Sequence, residues 1–357
     1  MNAKLRVGVA GSGIGRSHIH WFQSLPDQYE VIALAGKDER TRMVGEQYHV
    51  PRVIEDFSEL CRMDDLDVIS ICTPSYLHYE QALQALESGK HVILEKPACK
   101  SLREIDGLED AEVRTGKRIM PVFQNRMGAA AQKLRHLVKA GVTGRAYLAT
   151  AETAWRRRWE YYDGTWHGKW SSELGGALVT LGIHANDVLT SILGPARNVF
   201  ARMATLVNPV ETEDCFSASL EMADGSLASI SLTTGSTDQI TRLRFVFANL
   251  TVESNTRTYS VTAEPWTYTP DTPEAEAAMQ ASLEHFTPQP EGFVGQFAGF
   301  HQALQTGAAF PVTMEDARQA IQLLTGFYLS SRIQQPVDLP IPADHPYYDG
   351  WLPGGTE

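Results

Sequence analysis

A short apolar run, Leu5–Ala10, passes directly into Gly11-Ser12-Gly13-Ile14-Gly15-Arg16 and then into a helical pattern carrying Ile14, Ile19, Phe22 and Leu25. A strand that turns on glycines into a helix presents backbone amides and a partial positive charge at the strand's end, and glycines let that backbone approach a pyrophosphate closely. Gly11, Ser12, Gly13, Ile14 and Gly15 are therefore candidates to hold a dinucleotide. The spacing departs from G-x-G-x-x-G: Arg16 stands at the third position and a glycine sits one residue early. Arg16 is thus placed to approach the phosphates. A purely structural turn is the competing reading.

The pattern beyond the turn repeats it. Val31–Ala35, Asp67–Cys72 and His91–Leu94 are apolar runs of strand length, and a helix holding Leu83 and Leu86 stops at Gly89. Ser101 and Glu104 have capping-box spacing and open a helix that ends at Gly116, after which Arg118–Phe123 closes the series. Strand–helix alternation with continuously apolar strands predicts an α/β domain with a parallel sheet covered on both faces, over residues 1–123.

After about Asn125 the pattern changes. A helix with Leu134, Leu137 and Val138 leads to a strand at Ala146–Thr153, and Gly175–Leu193 reads as one long helix. Asn198–Leu206, Glu213–Ala223, Ser226–Thr234, Leu243–Phe247 and Leu250–Glu253 then follow as consecutive strands, with Asp224-Gly225 as a hairpin turn. Consecutive strands predict a mostly antiparallel sheet in an α+β domain over residues 124–335. Helices return at Phe293–Thr306 and Met314–Ile333, and the Pro- and Glu-rich Ala263–Gly292 reads as a surface excursion. The tail, 336–357, holds five prolines with Tyr347, Tyr348 and Trp351, and is expected to be extended and to pack on another subunit.

Composition narrows the function. Thirty-one Lys and Arg against 43 Asp and Glu give a net charge of −12, a poor match to phosphate backbones, so nucleic acid is not an expected partner. No run of 18 apolar residues predicts a membrane span, and the N-terminus shows no signal-peptide pattern. Cys61, Cys72, Cys99 and Cys215 lie far apart with no CxxC pair, which fits a reducing cytoplasm. Neither HExxH nor a Cys/His cluster suggests a metal.

Three further segments carry candidate chemistry. The second strand ends Ala35-Gly36-Lys37-Asp38, with Arg40 and Arg42 beyond. An acid at that strand end accepts hydrogen bonds from the ribose 2′-hydroxyl of NAD; Gly36 with Lys37 beside it favours a 2′-phosphate, hence NADP(H). Asp38 serving a ribose, and so NAD(H), is the alternative. Glu95-Lys96-Pro97 ends a parallel strand, the edge where open sheets bind ligands, and the proline makes Lys96 extended. Lys96 is a candidate to meet a substrate hydroxyl, or else an exposed turn lysine. Thr180, His184 and Asp187 share one face of the long helix at helical spacing and form a polar stripe needing partners. Trp155 to Tyr162 and Trp166 to Trp170 are rich in aromatics and arginine, suited to stacking on sugars and binding hydroxyls or carboxylates. Arg156, Arg157 and Arg158 point to an acidic substrate, a solvated run or a subunit contact.

The stretches VGVAGSGIGRSH, ICTPSYLHYEQALQALESGKHVILEKP, YYDGTWHGKW and GGALVTLGIHANDV resemble the glucose–fructose oxidoreductase, inositol dehydrogenase and rhizopine catabolism family (Gfo/Idh/MocA) over nearly the whole chain. The resemblance implies a Rossmann domain joined to an open, mostly antiparallel sheet domain, and assembly as a homodimer or homotetramer. It implies an NAD(P)-dependent dehydrogenase or reductase acting on a sugar, polyol or related compound. On matching positions, Lys96 corresponds to the catalytic lysine and His184 to the catalytic histidine of G-x-H-x-x-D. Thr73, Pro74, Glu95, Lys37 and Trp166 fall among the implied cofactor-side residues. Asn125, Arg157, Tyr162, Thr180 and Asp187 are implied on the substrate side. His78 matches the TPxxxH position, with a structural helix-start role equally open. Thr180 stands where many members have an aspartate, and His167 where many have arginine, so the family's proton relay does not carry over intact.

This reading requires the Lys96 ammonium and the His184 imidazole to meet at one alcohol or carbonyl oxygen. An NAD-dependent glycosidase on the same scaffold and a non-catalytic dinucleotide-binding regulator are the alternatives.

Overall fold

The computed structural model describes residues 4–353. The chain divides into two compact units. The first comprises the chain to Val122 together with Phe293–Arg318, and the second Phe123–Gly292 together with the residues from Gln319 onward.

The first unit is built on six parallel strands: β1 (Leu5–Ala10), β2 (Tyr29–Ala35), β3 (Arg52–Ile54), β4 (Val68–Ile71), β5 (His91–Leu94) and β6 (Ile119–Pro121). Their order, β3-β2-β1-β4-β5-β6, reverses between β1 and β4, which is where open α/β sheets bind ligands. All four residues of β4 are buried, as a strand covered on both faces must be. The exposed, three-residue β3 has no apolar run to announce it and was not expected.

Part of that cover comes from far along the chain. The helix Gly292–Thr306, assigned from sequence to the second domain, belongs almost wholly to the first unit. Phe297 stacks on Phe22 with centroids 4.3 Å apart, and Tyr29 donates its hydroxyl to Phe297 O at 2.6 Å. Gln296 Nε2 donates to Pro121 O at 2.6 Å. Arg318 is paired with Asp106 and Glu109 on the helix Leu102–Thr115.

The second unit holds an eight-stranded sheet. Its strands are β7 (Ala146–Arg156), β8 (Ala196–Ala204), β9 (Cys215–Met222), β10 (Leu227–Thr233), β11 (Gly235–Phe247), β12 (Leu250–Glu253), β13 (Thr267–Pro270) and β14 (Val337–Asp338). The order is β13-β12-β11-β7-β10-β9-β8-β14, and every pair is antiparallel except β7 with β10. The predicted excursion Ala263–Gly292 supplies β13 and an exposed helix, Pro273–Leu283, which opens with Thr272 capping Ala275 N. Trp170–Leu193 is long and apolar enough to cross a membrane by length and composition, and 72% of its window is buried inside the fold. It is a core helix of this unit.

The tail is docked on its own unit as far as Trp351. Val337 and Asp338 pair with β8, and Trp351 is fully buried. Its ring lies 5.6 Å from that of Tyr328 at an interplanar angle of 2°, and its Nε1 donates to Leu174 O at 2.7 Å. Truncating a buried tryptophan costs about 3–5 kcal/mol. Trp351→Ala is expected to lower the free energy of unfolding in urea by that amount while leaving dinucleotide affinity, measured by fluorescence, unchanged. An unaltered unfolding curve would show that the tail is not docked.

Candidate active site

The glycine turn follows β1. Gly11 has φ +94°, and a Cβ there would sit 2.5 Å from Cys72 O, so only glycine fits. Gly13 faces open space, with nothing within 4 Å of where a Cβ would stand. No side chain caps the helix Gly15–Gln23; the Ser17 and His18 amides donate to Ile14 O, and the Gly15 and Arg16 amides at the helix start are placed for an anion. Ser12 is buried and its hydroxyl lies 3.4 Å from Asp38 Oδ1, whereas Ile14 and Arg16 are exposed. These residues fit the pyrophosphate of a dinucleotide: a glycine-lined approach, amides at a helix start and an open side at Gly13.

The end of β2 is less open to a ribose than the sequence allowed. Asp38 caps the helix Glu39–Gln47, accepting from Thr41 N at 2.9 Å and from the Thr41 hydroxyl. The Thr41 hydroxyl is the main cause holding the Asp38 carboxyl below its ordinary value. At Gly36 a Cβ would lie 2.4 Å from Thr41 Oγ1. An acid at 36 is therefore absent in sequence and crowded in space, while Lys37 and Arg40 are exposed beside it.

Lys96 leaves the carboxyl end of β5 half-buried. Glu95, at the end of the same strand, is turned into the sheet. It is 5% exposed, its Oε1 lies 3.0 Å from His18 Nε2, and its Oε2 accepts from Lys96 N at 3.1 Å. His78 is also buried, with Nδ1 2.8 Å from Pro97 O and Nε2 3.0 Å from Thr73 O. It thereby joins the Thr73-Pro74 loop to the Lys96-Pro97 loop. Burial is the chief reason its pKa falls below the ordinary histidine value. Thr73 donates its hydroxyl to Gln81 Oε1 at 2.6 Å.

The histidine helix begins otherwise than predicted. Leu178–Gly182 is a π-helical turn, and the α-helix proper is Ile183–Leu193. A π turn widens the spacing at Thr180 and offsets it from the face that His184 and Asp187 share at i and i+3 of the α-helix. Thr180 donates to Gly176 O at 3.1 Å. His184 is half-buried. Asp187 is 3% exposed and receives Arg126 Nε at 2.9 Å and Nη2 at 2.7 Å. Its carboxylate is taken up by that ion pair, which replaces the substrate contact expected of it. The helix entrance is held by Glu213. Its Oε1 accepts from Gly176 N at 2.9 Å and Leu178 N at 3.0 Å, and its Oε2 accepts from the Tyr328 hydroxyl at 3.0 Å. A Cβ on Gly176 would fall 2.0 Å from Glu213 O, so this close approach demands glycine. Burial pushes the Glu213 carboxyl up to about 7 against these donors.

In the aromatic loop the arginines are largely spoken for. Arg157 lies over the rings of Trp155 and Tyr161, 5.0 and 5.3 Å from their centroids, and donates to Gln239 Oε1 and the Tyr259 hydroxyl. Arg158 donates to Thr234 O and Gly235 O. The reading of three arginines as an acid-binding cluster therefore loses two of them to the fold. Tyr162 is buried, and burial raises its phenol well above the ordinary value. Trp166 is 40% exposed, its ring 3.9 Å from that of His167, whose Nδ1 lies 2.9 Å from Glu173 Oε1. Asn125 is half-buried in the short turn Gln124–Met127.

Residues 5–123 match the family model described as the oxidoreductase family with NAD-binding Rossmann fold, and residues 131–253 match the GFO/IDH/MocA C-terminal domain. The chain belongs to the GFO/IDH/MocA oxidoreductase family. It is 30% identical over 195 residues to a D-glucoside 3-dehydrogenase of Escherichia coli, covering 54% of this chain and 55% of that one. It is 24% identical to a scyllo-inositol 2-dehydrogenase (NADP(+)) of Bacillus subtilis, over 61% of this chain and 60% of the relative. The matches thus span only about 55–60% of these curated relatives' lengths. The WlbA dehydrogenase of Bordetella pertussis, solved with NADH and UDP-GlcNAcA, superposes with a TM-score of 0.84 at 26% identity, covering 95% of this chain and all of that one.

Within this family member, sequence reasoning missed Arg126, His18 and Glu213. Arg126 had a signal. An aspartate on an otherwise apolar helix needs a cation when buried, and Arg126 stands in the segment that enters the same unit. Removing one partner of a buried pair costs about 3–5 kcal/mol because the other charge stays buried. Arg126→Ala is expected to lower stability to chemical denaturation by that amount, and Arg126→Met with Asp187→Leu to recover most of it. An equal loss in both variants would refute the pairing argument.

Proposed function

We propose that this protein is a nicotinamide-dependent dehydrogenase or reductase of a sugar, polyol or related hydroxy or keto compound. The observation that carries the reading is the placement of Lys96. It leaves the carboxyl end of β5, its amide is held by Glu95 and the following Pro97 carbonyl by His78, in a sheet whose glycine turn is open at Gly13. When bound, the nicotinamide ring supplies or accepts the hydride at the carbon bearing the reacting oxygen. The Lys96 ammonium hydrogen-bonds that oxygen and stabilises the negative charge that develops on it. His184 takes the hydroxyl proton in oxidation and returns it in reduction. Thr180 turns its hydroxyl to Gly176 O and carries no charge, so no carboxylate orients His184 from position 180.

Lys96→Met is expected to lower kcat by about 100-fold or more, the scale of losing one oxyanion donor, with dinucleotide affinity nearly intact. His184→Ala is expected to lower kcat by about 10²–10⁴-fold and to change the pH profile. Full activity in the first variant, or an unchanged profile in the second, removes that residue from the mechanism. A screen of sugars, inositols and uronates for turnover of reduced nicotinamide would name the substrate.

The cofactor preferred is NADP(H). Gly36 supplies no acid for a ribose 2′-hydroxyl, Thr41 crowds the place of one, Asp38 is engaged as a helix cap, and Lys37 stands at the strand end. A relative named for NADP(+) is compatible with this, although the WlbA dehydrogenase was solved with NADH. Fluorescence titration should give tighter binding of NADPH than NADH, and Gly36→Asp with Thr41→Ala should shift the ratio toward NADH by about tenfold. Tighter binding of NADH by the unaltered protein would overturn the assignment.

The molecule assembles as a homodimer or homotetramer through its open sheet. Leu148 and Leu227 support this: they are register partners on β7 and β10 and are 41% and 54% exposed.

A further inference from the structure

His18 lies in the helix that begins at the glycine turn, with no exposed surface. Its ring sits among the rings of Phe22, Phe293 and Phe297, with centroids 6.2, 5.1 and 5.1 Å away. Within that apolar shell both ring nitrogens have polar neighbours. Nδ1 is 2.8 Å from Ser70 Oγ on β4, and Nε2 is 3.0 Å from Glu95 Oε1 at the end of β5. The other oxygen of the same carboxylate accepts the Lys96 amide at 3.1 Å. One line of contacts therefore runs from the dinucleotide-turn helix through an imidazole and a carboxylate to the backbone from which Lys96 projects.

We infer that His18, through its contact with the Glu95 carboxylate, is a positioning residue for Lys96, fixing where the ammonium stands relative to the glycine turn. A carboxylate in an apolar shell needs a fixed partner, and truncating one member of a buried pair leaves the other uncompensated. Without His18, the Glu95 carboxylate loses the partner at Oε1 and holds the Lys96 amide less firmly at Oε2. Misplacement of about 1 Å at a catalytic group costs on the order of 10²-fold in rate. Burial opposes charge on His18, but the neighbouring Cys72 sulfur and the Glu95 carboxylate outweigh it and hold the imidazole raised to about 10.

This inference rests on the role proposed for Lys96, so the test begins with Lys96→Met. Turnover retained in that variant overturns the reading of Lys96 and this inference with it. With that variant inactive, His18→Leu and His18→Gln are compared for kcat, KM, NADPH affinity by fluorescence and thermal melting. Glutamine keeps an N–H donor toward Glu95 but carries no charge. The expected result is a fall in kcat of about 10- to 100-fold for leucine, the range seen when a supporting partner is lost, and about tenfold for glutamine, with KM and NADPH affinity within about twofold. If leucine does not fold, glutamine decides. Unchanged kcat in His18→Gln overturns the inference, as does a loss of NADPH affinity equal to the loss of kcat. The combined variant His18→Gln with Glu95→Gln should be no slower than His18→Gln alone, because the two act as one unit. Losses that multiply would show the two residues to be independent and overturn it.

Discussion

A parallel sheet is stable only with both faces covered, and that requirement organises the first unit. The strands β1, β4 and β5 bury every inward contact they make, leaving polar chemistry to the ends where the strands stop. At those ends the chain gathers a glycine turn, Ser70, Glu95 and Lys96, and behind them a layer of phenylalanines. The layer matters as much as the polar groups. Phe293 and Phe297 exclude water from the imidazole of His18, and in that low-dielectric setting its contact with the Glu95 carboxylate fixes geometry more firmly than it would in water.

The second unit solves a similar problem by different means. Its histidine helix is apolar enough to be mistaken for a membrane span, and its buried polar attachments draw on other elements. Glu213 receives the amides at the helix entrance and Arg126 receives Asp187. The π-helical turn falls between these two attachments, at the point where the helix carries Thr180. A helix fixed at both ends can hold such a turn, whose wider spacing alters which side chains share a face.

What was legible in the sequence was local. The glycine turn, the lysine at a strand end, the Ser101 cap and the Asp224-Gly225 hairpin all declare themselves within a few residues, and each is where the pattern put it. The alternation of apolar runs with helices gave the parallel sheet, and the later run of strands gave the antiparallel one. Other features were hidden because their causes are distant or leave no periodic trace. Asp187 and Arg126 are 61 positions apart, so nothing near the aspartate reveals its partner. Tyr29 and Phe297 are 268 apart, which is why the helix Gly292–Thr306 was assigned to its neighbours in sequence rather than to the sheet it covers. The π turn adds one residue to a helical ring without disturbing an apolar pattern. Asp38 and Glu95 look alike as acids at strand ends; only the folded chain shows that Oδ1 of Asp38 caps a helix through Thr41 and that Glu95 lies against His18.

The allegiance of Gly292–Thr306 has a consequence for how the chain emerges from the ribosome. The amino-terminal unit lacks part of its covering layer until residues near 318 have been made, although its six strands are complete by Pro121. Through that interval Phe22 and Tyr29 wait without Phe297 against them. The second unit is completed later still, by the segment from Gln319 onward, and a gene fragment ending near residue 123 would yield a sticky, half-dressed sheet rather than an independent nucleotide-binding module.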